Sequence, residues 1–276
     1  MIELIIYVIW FSMKYGIISD IHSNIHAYRK VVGILNKIVD EIVCLGDIVG
    51  YNANPRECIV LTQRCKRMRH IIRGNHDILA SQGLRFGNSC NLSKDAFDGI
   101  VYTSKQITHN QKQWISSLKD NDLIGDVDLP FIVSHEGTLN LEKDGYIFDH
   151  YGASSFSRDV FLKSGFNLCF FGHTHVPTFF SCKKEELKDT SFVKDFIFDI
   201  GGKPIENKMY NIEDKNNFYL INTGSIGQPR YNGINSYAIL DTCKKEIVFC
   251  HFKYDKNKAI EAVVKAGYSE NISKRL

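Results

Sequence analysis

The sequence has few of the features that divide a chain into separate units or cross-link it outside the cell. It has 276 residues and only 5 prolines, and neither an internal repeat nor a Pro/Gly-rich linker interrupts it. Its 8 cysteines form no C-x-x-C pair, and several lie within apolar runs such as those around Cys44 and Cys169. Cysteines of this kind are typical of reduced core thiols in a cytoplasmic protein. We therefore predict one cytoplasmic domain without a disulfide framework.

The sequence also lacks a strong charge of either sign. It contains 34 Lys and Arg residues against 31 Asp and Glu residues, a formal net charge of +3. This balance disfavours a nucleic-acid coat protein, and we expect the basic run between Arg64 and His70 to lie at the end of a helix. A hydrophobic content of 44% is enough for a large core and excludes intrinsic disorder.

No apolar run is long enough to cross a bilayer. The N-terminal run, MIELIIYVIWF, has about half of the ~20 residues that a spanning helix needs, and it shows neither a basic start nor a small-residue cleavage site. Met13 follows and opens the first predicted strand. We therefore interpret residues 1–12 as an extension before the true start at Met13, residues 13–266 as a single domain, and residues 267–276 as a frayed tail.

Short apolar strands alternate with amphipathic helices in the first part of the chain. The apolar run that ends at Asp20 is followed by a helical spacing at Val31, Leu35 and Val39, and EIVCLGD then repeats the pattern of a strand ending in a carboxylate. This alternation predicts a sheet with helices on its faces. The other predicted elements are helices over residues 55–65, 95–118 and 256–265, strands over 131–134, 168–171, 218–222, 236–240 and 246–252, and a surface excursion with at least one strand over 181–217.

Five clusters of metal-ligand residue types follow apolar runs. They are Asp20-Ile-His22, Gly46-Asp47, Gly74-Asn75-His76-Asp77, His135 and Gly172-His173-Thr-His175. A lone histidine after a strand is common, but here the clusters contain half of the 10 histidines. Mixed imidazole and carboxylate ligands suit divalent transition metals, and a carboxylate can bridge two of them. Side chains at the ends of adjacent strands can converge, and the preceding glycines would let the backbone turn sharply.

Taken in order, DIH, GD, GNHD, H and GHTH resemble the motifs of the calcineurin-like metallophosphoesterase superfamily. LGDIVGYNANPRECI, GHTHVP and NTGSIGQPRYNGINSYAILD are similar to its bacterial and archaeal phosphodiesterase branch, and the similarity runs from about Lys14 to Asp241. The resemblance implies an α/β fold, a four-layer α/β/β/α sandwich with two mixed central sheets. It also implies a dinuclear metal centre at one edge of the sandwich and a phosphate-ester small molecule or nucleotide as the substrate.

The resemblance implies a role for each matching residue. Asp20, His22 and His175 would bind the first ion, Asp47 would bridge, and Asn75, His135 and His173 would complete the second site. His76 would stay outside the coordination shell and donate a proton to the leaving oxygen. A metal-bridging hydroxide would attack the phosphorus in line. We expect Mn²⁺ as the cofactor, with Fe, Ni²⁺, Zn²⁺ and Mg²⁺ as alternatives.

Two blocks depart from the superfamily pattern. Gly50 and Tyr51 replace the Asp-Arg pair that protein serine/threonine phosphatases carry after the bridging aspartate. This disfavours a protein phosphatase and leaves the carboxylate that would orient His76 unidentified, with Asp77 as one candidate. In the fourth block, Glu136 follows His135, and we favour a solvated loop residue over a partner of the metal ligands.

Asn24 and Arg230 are candidates for binding a substrate phosphate, since a guanidinium matches phosphate oxygens. Arg230 could equally fix the turn after Pro229. We predict a phosphoesterase that acts on phosphodiesters. The alternatives are a phosphomonoesterase or a nucleotide or protein phosphatase of the same superfamily, and, less favoured, a non-catalytic metal-binding interaction scaffold.

Overall fold

The computed structural model describes residues 13–83, 92–136, 153, 161–186, 193–196, 207–230, 233–268 and 270–276. The predicted extension over residues 1–12 and part of the predicted excursion over 181–217 lie outside these residues. Among the described residues, no helix combines the length and hydrophobicity that crossing a membrane requires.

The helices alternate with strands in the first third of the chain, as the sequence pattern predicts. They are α1 (Ile25–Ile38), α2 (Pro55–Arg64), α3 (Asn75–Gln82), α4 (Lys94–Gln106), α5 (His109–Ser116), α6 (Phe161–Ser164), α7 (Lys256–Lys265) and α8 (Glu270–Ser273). The strands are β1 (Lys14–Ile18), β2 (Glu41–Cys44), β3 (Met68–Ile71), β4 (Asn121–Ile124), β5 (Phe131–Ser134), β6 (Leu168–Phe171), β7 (Thr178–Lys183), β8 (Val193–Phe196), β9 (Lys208–Asn211), β10 (Asn217–Asn222), β11 (Asn235–Asp241) and β12 (Glu246–Phe252).

The strands form two mixed sheets. The order in the first sheet is β3-β2-β1-β11-β12-β9, and the order in the second sheet is β4-β5-β6-β10-β7-β8. In the first sheet β1 and β2 are parallel while β1 and β11 are antiparallel. In the second sheet β5, β6 and β10 are parallel and the other pairs are antiparallel. The predicted pair of mixed sheets is therefore confirmed.

Successive strand residues point into different layers of the core, because side chains alternate between the two faces of a sheet. Ile17 packs between the two sheets, whereas Ile18 belongs to the core cluster that includes the buried face of α1. In the second sheet, Phe170 faces the first sheet and Phe171 faces the opposite side. Both faces of both sheets are thus covered, which gives the predicted four-layer sandwich.

The long helical pattern between residues 95 and 118 is interrupted, so the single helical region of the prediction is wrong. Ile107 is extended, with φ −74° and ψ 142°. Thr108 then caps a new helix, because its hydroxyl accepts from the Gln111 backbone N–H while the Gln111 side chain accepts from the Thr108 N–H. This reciprocal cap satisfies the free donors at the start of α5.

The last residues of the chain are packed, although a frayed tail was expected there. The short helix α8 lies within them, and the side chains of Ile272 and Leu276 are buried against α7. The Tyr268 hydroxyl donates to the carbonyl of Asn52, which follows β2 by several residues. The end of the chain therefore contacts the loop that follows β2.

Candidate metal centre

The predicted ligand residues lie where parallel strands end. Asp20 and His22 follow β1, Asp47 follows β2, and Asn75 opens α3 after β3. His135 follows β5, while His173 and His175 follow β6. Since the carboxyl ends of parallel strands share one edge of a sheet, each sheet presents its group at one edge. Packing of the two sheets brings the two groups together.

The backbone at these strand ends is left-handed at several non-glycine residues. The φ angles are 54° at Asp20, 45° at His22, 53° at Asp47, 67° at His173 and 61° at His175. Such conformations cost on the order of 1–3 kcal/mol each and persist where surrounding contacts hold them. Hydrogen bonds join the turn after β1 to the turn after β2. The His22 N–H donates to the Asp47 carbonyl at 2.9 Å, and the Asp20 N–H donates to the Gly46 carbonyl at 3.1 Å.

Glycines next to the ligands serve two different purposes. Gly46 has φ +95°, so it makes the sharp turn that was predicted before Asp47. Gly74 is not left-handed, but a Cβ there would lie 2.2 Å from the Asp47 Oδ1 atom. Its role is therefore to leave room for the Asp47 carboxylate.

Three histidines are oriented by backbone carbonyls. The Nδ1 atoms of His22, His135 and His175 lie 3.2, 2.7 and 2.6 Å from the carbonyl oxygens of Val49, Leu45 and Gln228. Because a carbonyl only accepts, each Nδ1 carries the proton and donates it. Each Nε2 atom is then the nitrogen available to a metal ion, as in histidines held by an outer partner.

The available nitrogens and the carboxylate oxygens converge. The His22 and His175 Nε2 atoms are 3.0 Å apart, and the His175 Nε2 lies 3.2 Å from the Asp20 Oδ1. The Asp47 Oδ2 lies 3.2 Å from the His135 Nε2 and 3.5 Å from the His22 Nε2. Metal–ligand bonds of ~2.1 Å place two ligands of one ion roughly 3–3.5 Å apart.

Within the part of the chain that the structure describes, three overlapping sets of buried donors could each hold an ion. They are Asp20 with His22 and His175, His22 with Asp47 and His76, and Asp20 with Asp47 and His135. In each set the donor atoms lie within 4.8 Å of one another. The His135 Nε2 atom is buried 3.2 Å from the Asp47 Oδ2, so one cation could contact both atoms. The donor set therefore fits divalent transition metals in both composition and spacing.

Burial and neighbouring charges shift the pKa values of Asp20, Asp47 and His135 in opposite directions. Burial raises the pKa of Asp20, but the His175 and His22 imidazoles outweigh it and hold the pKa well below its usual value. Burial also raises the pKa of Asp47, yet His135 and His76 bring it far below the usual value. For His135 burial lowers the pKa, but the Asp47 carboxylate raises it to about 10. Asp47 and His135 thus form an ion pair when no metal is bound.

Asn75, His173 and His76 lie beside these donors. The His173 Nδ1 is 3.1 Å from the Asn75 Oδ1, and the His173 backbone N–H donates to the Asp20 carboxylate at 3.1 Å. The His76 ring packs against the His22 ring with centroids 4.8 Å apart. The structure therefore brings all the predicted ligands and the predicted proton donor into one cluster.

Asp77 does not orient His76, contrary to the candidate role considered for it. Its carboxylate accepts from the backbone N–H groups of Ile48 at 3.2 Å, Val49 at 3.0 Å and Gly74 at 3.0 Å. Burial and the Asp47 charge raise the pKa of Asp77 to about 6. Asp77 therefore clamps the loop after Asp47 to the start of α3.

Asn24 does not have a free amide for a substrate, so its predicted phosphate-binding role is wrong. Its Oδ1 accepts from the Ala27 N–H and caps α1, while its Nδ2 donates to the Gly227 carbonyl and the Tyr254 hydroxyl. The side chain is 1% exposed. Asn24 thus joins α1 to two distant segments.

Arg230 is exposed and lies next to the cluster. Its positive charge acts to lower the pKa of both the Tyr51 hydroxyl and the His175 imidazole, although burial has the larger effect on each pKa. Arg230 therefore remains a candidate for contact with a substrate phosphate.

Glu136 was expected to be a solvated loop residue, and that expectation is wrong. The residue is only 6% exposed, and its charge contributes to raising the pKa of His135.

Tyr51 lies closer to the cluster than the sequence pattern indicated. Its ring packs against His76 and His22, with centroid distances of 4.6 and 4.8 Å. Its position four residues after Asp47 in a glycine-containing loop was the available signal, but the loop alone did not show which way the ring points.

Comparisons with known proteins agree with this geometry. Residues 13–245 match the family model for the calcineurin-like phosphoesterase superfamily domain. The chain is 34% identical over 271 residues to the uncharacterized protein MJ0912 of Methanocaldococcus jannaschii, with 95% of this chain and 96% of the relative covered.

Two solved structures resemble the chain over nearly its whole length. The metallophosphoesterase from Sphaerobacter thermophilus is 27% identical with a TM-score of 0.74, covering 96% of this chain and 98% of that chain. The hypothetical protein PH1004 from Pyrococcus horikoshii OT3 is 15% identical with a TM-score of 0.70, covering 95% and 96%. The second likeness shows the shared fold alone.

Proposed function

Because the chain belongs to the calcineurin-like phosphoesterase superfamily, we propose that it is a metal-dependent phosphoesterase that hydrolyses phosphodiesters at a dinuclear centre. The observation that carries the proposal is the contact between the His22 and His175 Nε2 atoms at 3.0 Å. Both rings donate their Nδ1 protons to carbonyls, so both Nε2 atoms are directed into the space that they share with the Asp20 carboxylate. A cation in that space would be coordinated by both nitrogens.

The ligands divide into two sets around one carboxylate. Asp20, His22 and His175 would hold the first ion, Asn75, His135 and His173 would hold the second, and Asp47 would bridge. Asp47 is suited to the bridge because its Oδ2 lies within 3.5 Å of both the His22 and the His135 Nε2 atoms. We assign Mn²⁺ to both positions, and Fe, Ni²⁺, Zn²⁺ or Mg²⁺ would meet the same mixture of nitrogen and oxygen donors.

A pair of divalent ions supplies Lewis-acid stabilisation of the phosphoryl oxygens and hydroxide at neutral pH. The protein contributes the remaining functions. Arg230 would bind a non-bridging phosphate oxygen as a charge-assisted donor. His76 would give a proton to the leaving oxygen as its bond to phosphorus breaks. Because Nδ1 of His76 is buried, Nε2 is the ring nitrogen that a substrate could reach.

A diester substrate is supported by the sequence and by the charge at the edge of the site. The loop after Asp47 has Gly50 and Tyr51 where protein phosphatases carry an Asp-Arg pair. In the protein phosphatases, the arginine of that pair helps to hold the phosphate. One guanidinium, that of Arg230, would match the single negative charge of a diester better than the double charge of a monoester.

The test is hydrolysis of bis(p-nitrophenyl) phosphate beside p-nitrophenyl phosphate. The full chain is stripped of metal, and its activity is measured before and after reconstitution with Mn²⁺, with Mg²⁺, Zn²⁺ and Ni²⁺ in parallel. We expect diester turnover only after metal addition, and faster than monoester turnover. Monoester preference would replace the diester assignment with a phosphomonoesterase. Two bound ions without hydrolysis of either ester would support the interaction scaffold instead.

A further inference from the structure

Among the described residues, no hydrogen bond to Nδ1 fixes the orientation of the His76 ring. Its Nδ1 atom is buried and has no hydrogen-bond partner among the residues that the structure describes. A Cβ at Gly50 would lie 2.5 Å from this Nδ1, so the nitrogen faces the Gly50 backbone. The nearby carboxylate of Asp77 is occupied by three backbone N–H groups. His76 therefore differs from His22, His135 and His175, whose Nδ1 atoms are held by carbonyls.

Aromatic packing takes the place of that hydrogen bond. The Tyr51 ring lies over the His76 ring at a centroid distance of 4.6 Å and an interplanar angle of 34°. The His22 ring meets His76 edge-on at 4.8 Å and 77°. Tyr51 itself also meets His22 edge-on at 4.8 Å and 83°. The three rings form one packed group, and contacts of this kind restrict the rotation of each member.

Tyr51 is itself firmly held. Its φ of +47° is unusual for a tyrosine, and its side chain is 3% exposed. Helix α4 packs directly beneath it, since a Cβ at Gly99 would lie 2.5 Å from the Tyr51 backbone nitrogen. The next residue, Asn52, donates its side-chain amide to the His22 carbonyl at 2.8 Å. A strained backbone kept in place by several contacts is typical of functional sites.

The hydroxyl of Tyr51 faces a different group. The Arg230 charge acts to lower the pKa of this hydroxyl, against the larger effect of burial, and Arg230 is the candidate phosphate-binding group. The ring and the hydroxyl of Tyr51 therefore have different neighbours.

We infer that Tyr51 is a positioning residue for His76, because the Tyr51 ring takes over the orienting role that a carboxylate would play. This inference rests on the proposed function. The ring holds His76 so that Nε2 points toward the leaving oxygen. The hydroxyl has no part in this role, so the ring and the hydroxyl can be removed separately.

The experiment compares phenyl and p-nitrophenyl esters of thymidine 5′-phosphate, with each variant loaded with Mn²⁺. Phenolate is the poorer leaving group and depends more on a proton donor, whose contribution is typically about 10²–10⁴-fold. Tyr51→Leu removes the ring, and we expect its kcat to fall about tenfold more on the phenyl ester than on the p-nitrophenyl ester. Tyr51→Phe keeps the ring, so we expect the wild-type ratio between the esters.

A matched control is Tyr102→Leu. Tyr102 donates to the Ala53 carbonyl in the same loop, but its ring packs against Tyr268 at 5.0 Å. A general loosening of the loop would act on both esters equally in this variant. If Tyr51→Leu does not fold, Gly50→Ala also tests the positioning of His76, because the added Cβ would displace the His76 ring. We then expect kcat to fall more on the phenyl ester than on the p-nitrophenyl ester.

An equal loss on both esters in Tyr51→Leu, or the same change of ratio in Tyr51→Phe, would overturn the inference. His76→Ala separates this failure from failure of the proposed function. If His76→Ala changes the ester ratio and Tyr51→Leu does not, the positioning role is wrong while the proton-donor role stands. If the wild-type protein hydrolyses neither ester with two ions bound, the proposed function itself is wrong.

Discussion

The donor cluster and the edge of the same site are held in different ways. In the cluster, His22, His135 and His175 are at most 2% exposed, and each is fixed by a backbone carbonyl. At the edge, the Tyr51 ring packs against the His76 and His22 rings, and Arg230 is exposed. Strands and turns of the scaffold therefore fix the metal-binding groups, whereas a few side-chain contacts fix the groups that would meet the substrate. Changes in the cluster should abolish function, and changes at the edge should alter selectivity.

Asp47→Asn should have the largest effect. The carboxamide cannot supply two anionic oxygens to a bridge, so we expect loss of at least one bound ion and a fall in kcat of about 10³-fold or more. Metal content by elemental analysis and diester hydrolysis check this. Asp214→Asn, at an exposed turn, is the control. Two retained ions in Asp47→Asn would contradict the bridging assignment.

His76→Ala should leave the metal content unchanged, because the ligand assignment excludes His76. We expect a loss of about 10²–10⁴-fold on poor leaving groups and a much smaller loss on p-nitrophenyl esters, which scarcely need a proton. Steady-state kinetics over a series of phenyl esters measure the difference. An equal loss across the series would remove the proton-donor role.

Metal binding should release a proton at neutral pH. The Asp47 carboxylate raises the pKa of His135 to about 10, so the His135 Nε2 is protonated in the metal-free protein at pH 7. An ion that binds this nitrogen must displace the proton, hence the apparent affinity should rise with pH between about 7 and 10. Calorimetry in buffers of different ionisation enthalpy counts the protons released. His135→Gln should release about one proton fewer, and an unchanged count would exclude His135 as a ligand.

Asn24→Ala should affect stability and not substrate binding. Loss of the α1 cap costs about 1 kcal/mol, and the bonds to Gly227 and Tyr254 add to it. Thermal unfolding should show a lower Tm, while KM of the metal-loaded enzyme stays at the wild-type value. Asn110→Ala, at an exposed position in α5, is the control. A raised KM with unchanged Tm would restore the substrate role.

Arg230→Lys should have the smallest effect, because the positive charge remains and only the planar set of donors is lost. We expect KM for the diester to rise about threefold to tenfold with kcat changed less than twofold. Arg64→Lys, on the exposed end of α2, controls for the general effect of the substitution. A lower kcat with unchanged KM would place Arg230 in the chemical step instead of in binding.

The strand-end motifs were predictable from the sequence because each depends on a short local pattern. An apolar run followed by Asp20 or Asp47 specifies a buried strand with a carboxylate at its end, and both lie there. The helix over 256–265 and the strand over 246–252 were predicted at their observed bounds, since their periodicity is regular. The helix break at Thr108 was missed because the hydrophobic spacing continues through this residue. The break depends on the capping hydrogen bonds of Thr108, which the spacing does not show.

The contacts around the ligands were not predictable from local patterns. Asn24 is joined to Gly227 and Tyr254, which lie 203 and 230 residues further along the chain. Likewise, the direction of the Tyr51 ring depends on Gly99 in α4 and on His76 in α3. Residue types indicate a metal site. Only the packing of the two sheets and their helices shows which nearby side chains already have hydrogen-bond partners within the protein and so are not free to bind a substrate.

The most direct test is crystallographic, on the full chain grown with Mn²⁺ and measured at the manganese absorption edge. We expect two anomalous peaks about 3.5–4 Å apart. One should lie within bonding distance of the His22 and His175 Nε2 atoms, the other within bonding distance of the His135 Nε2, and Asp47 should contact both. A single peak, or peaks away from these nitrogens, would contradict the dinuclear centre on which the proposed function rests.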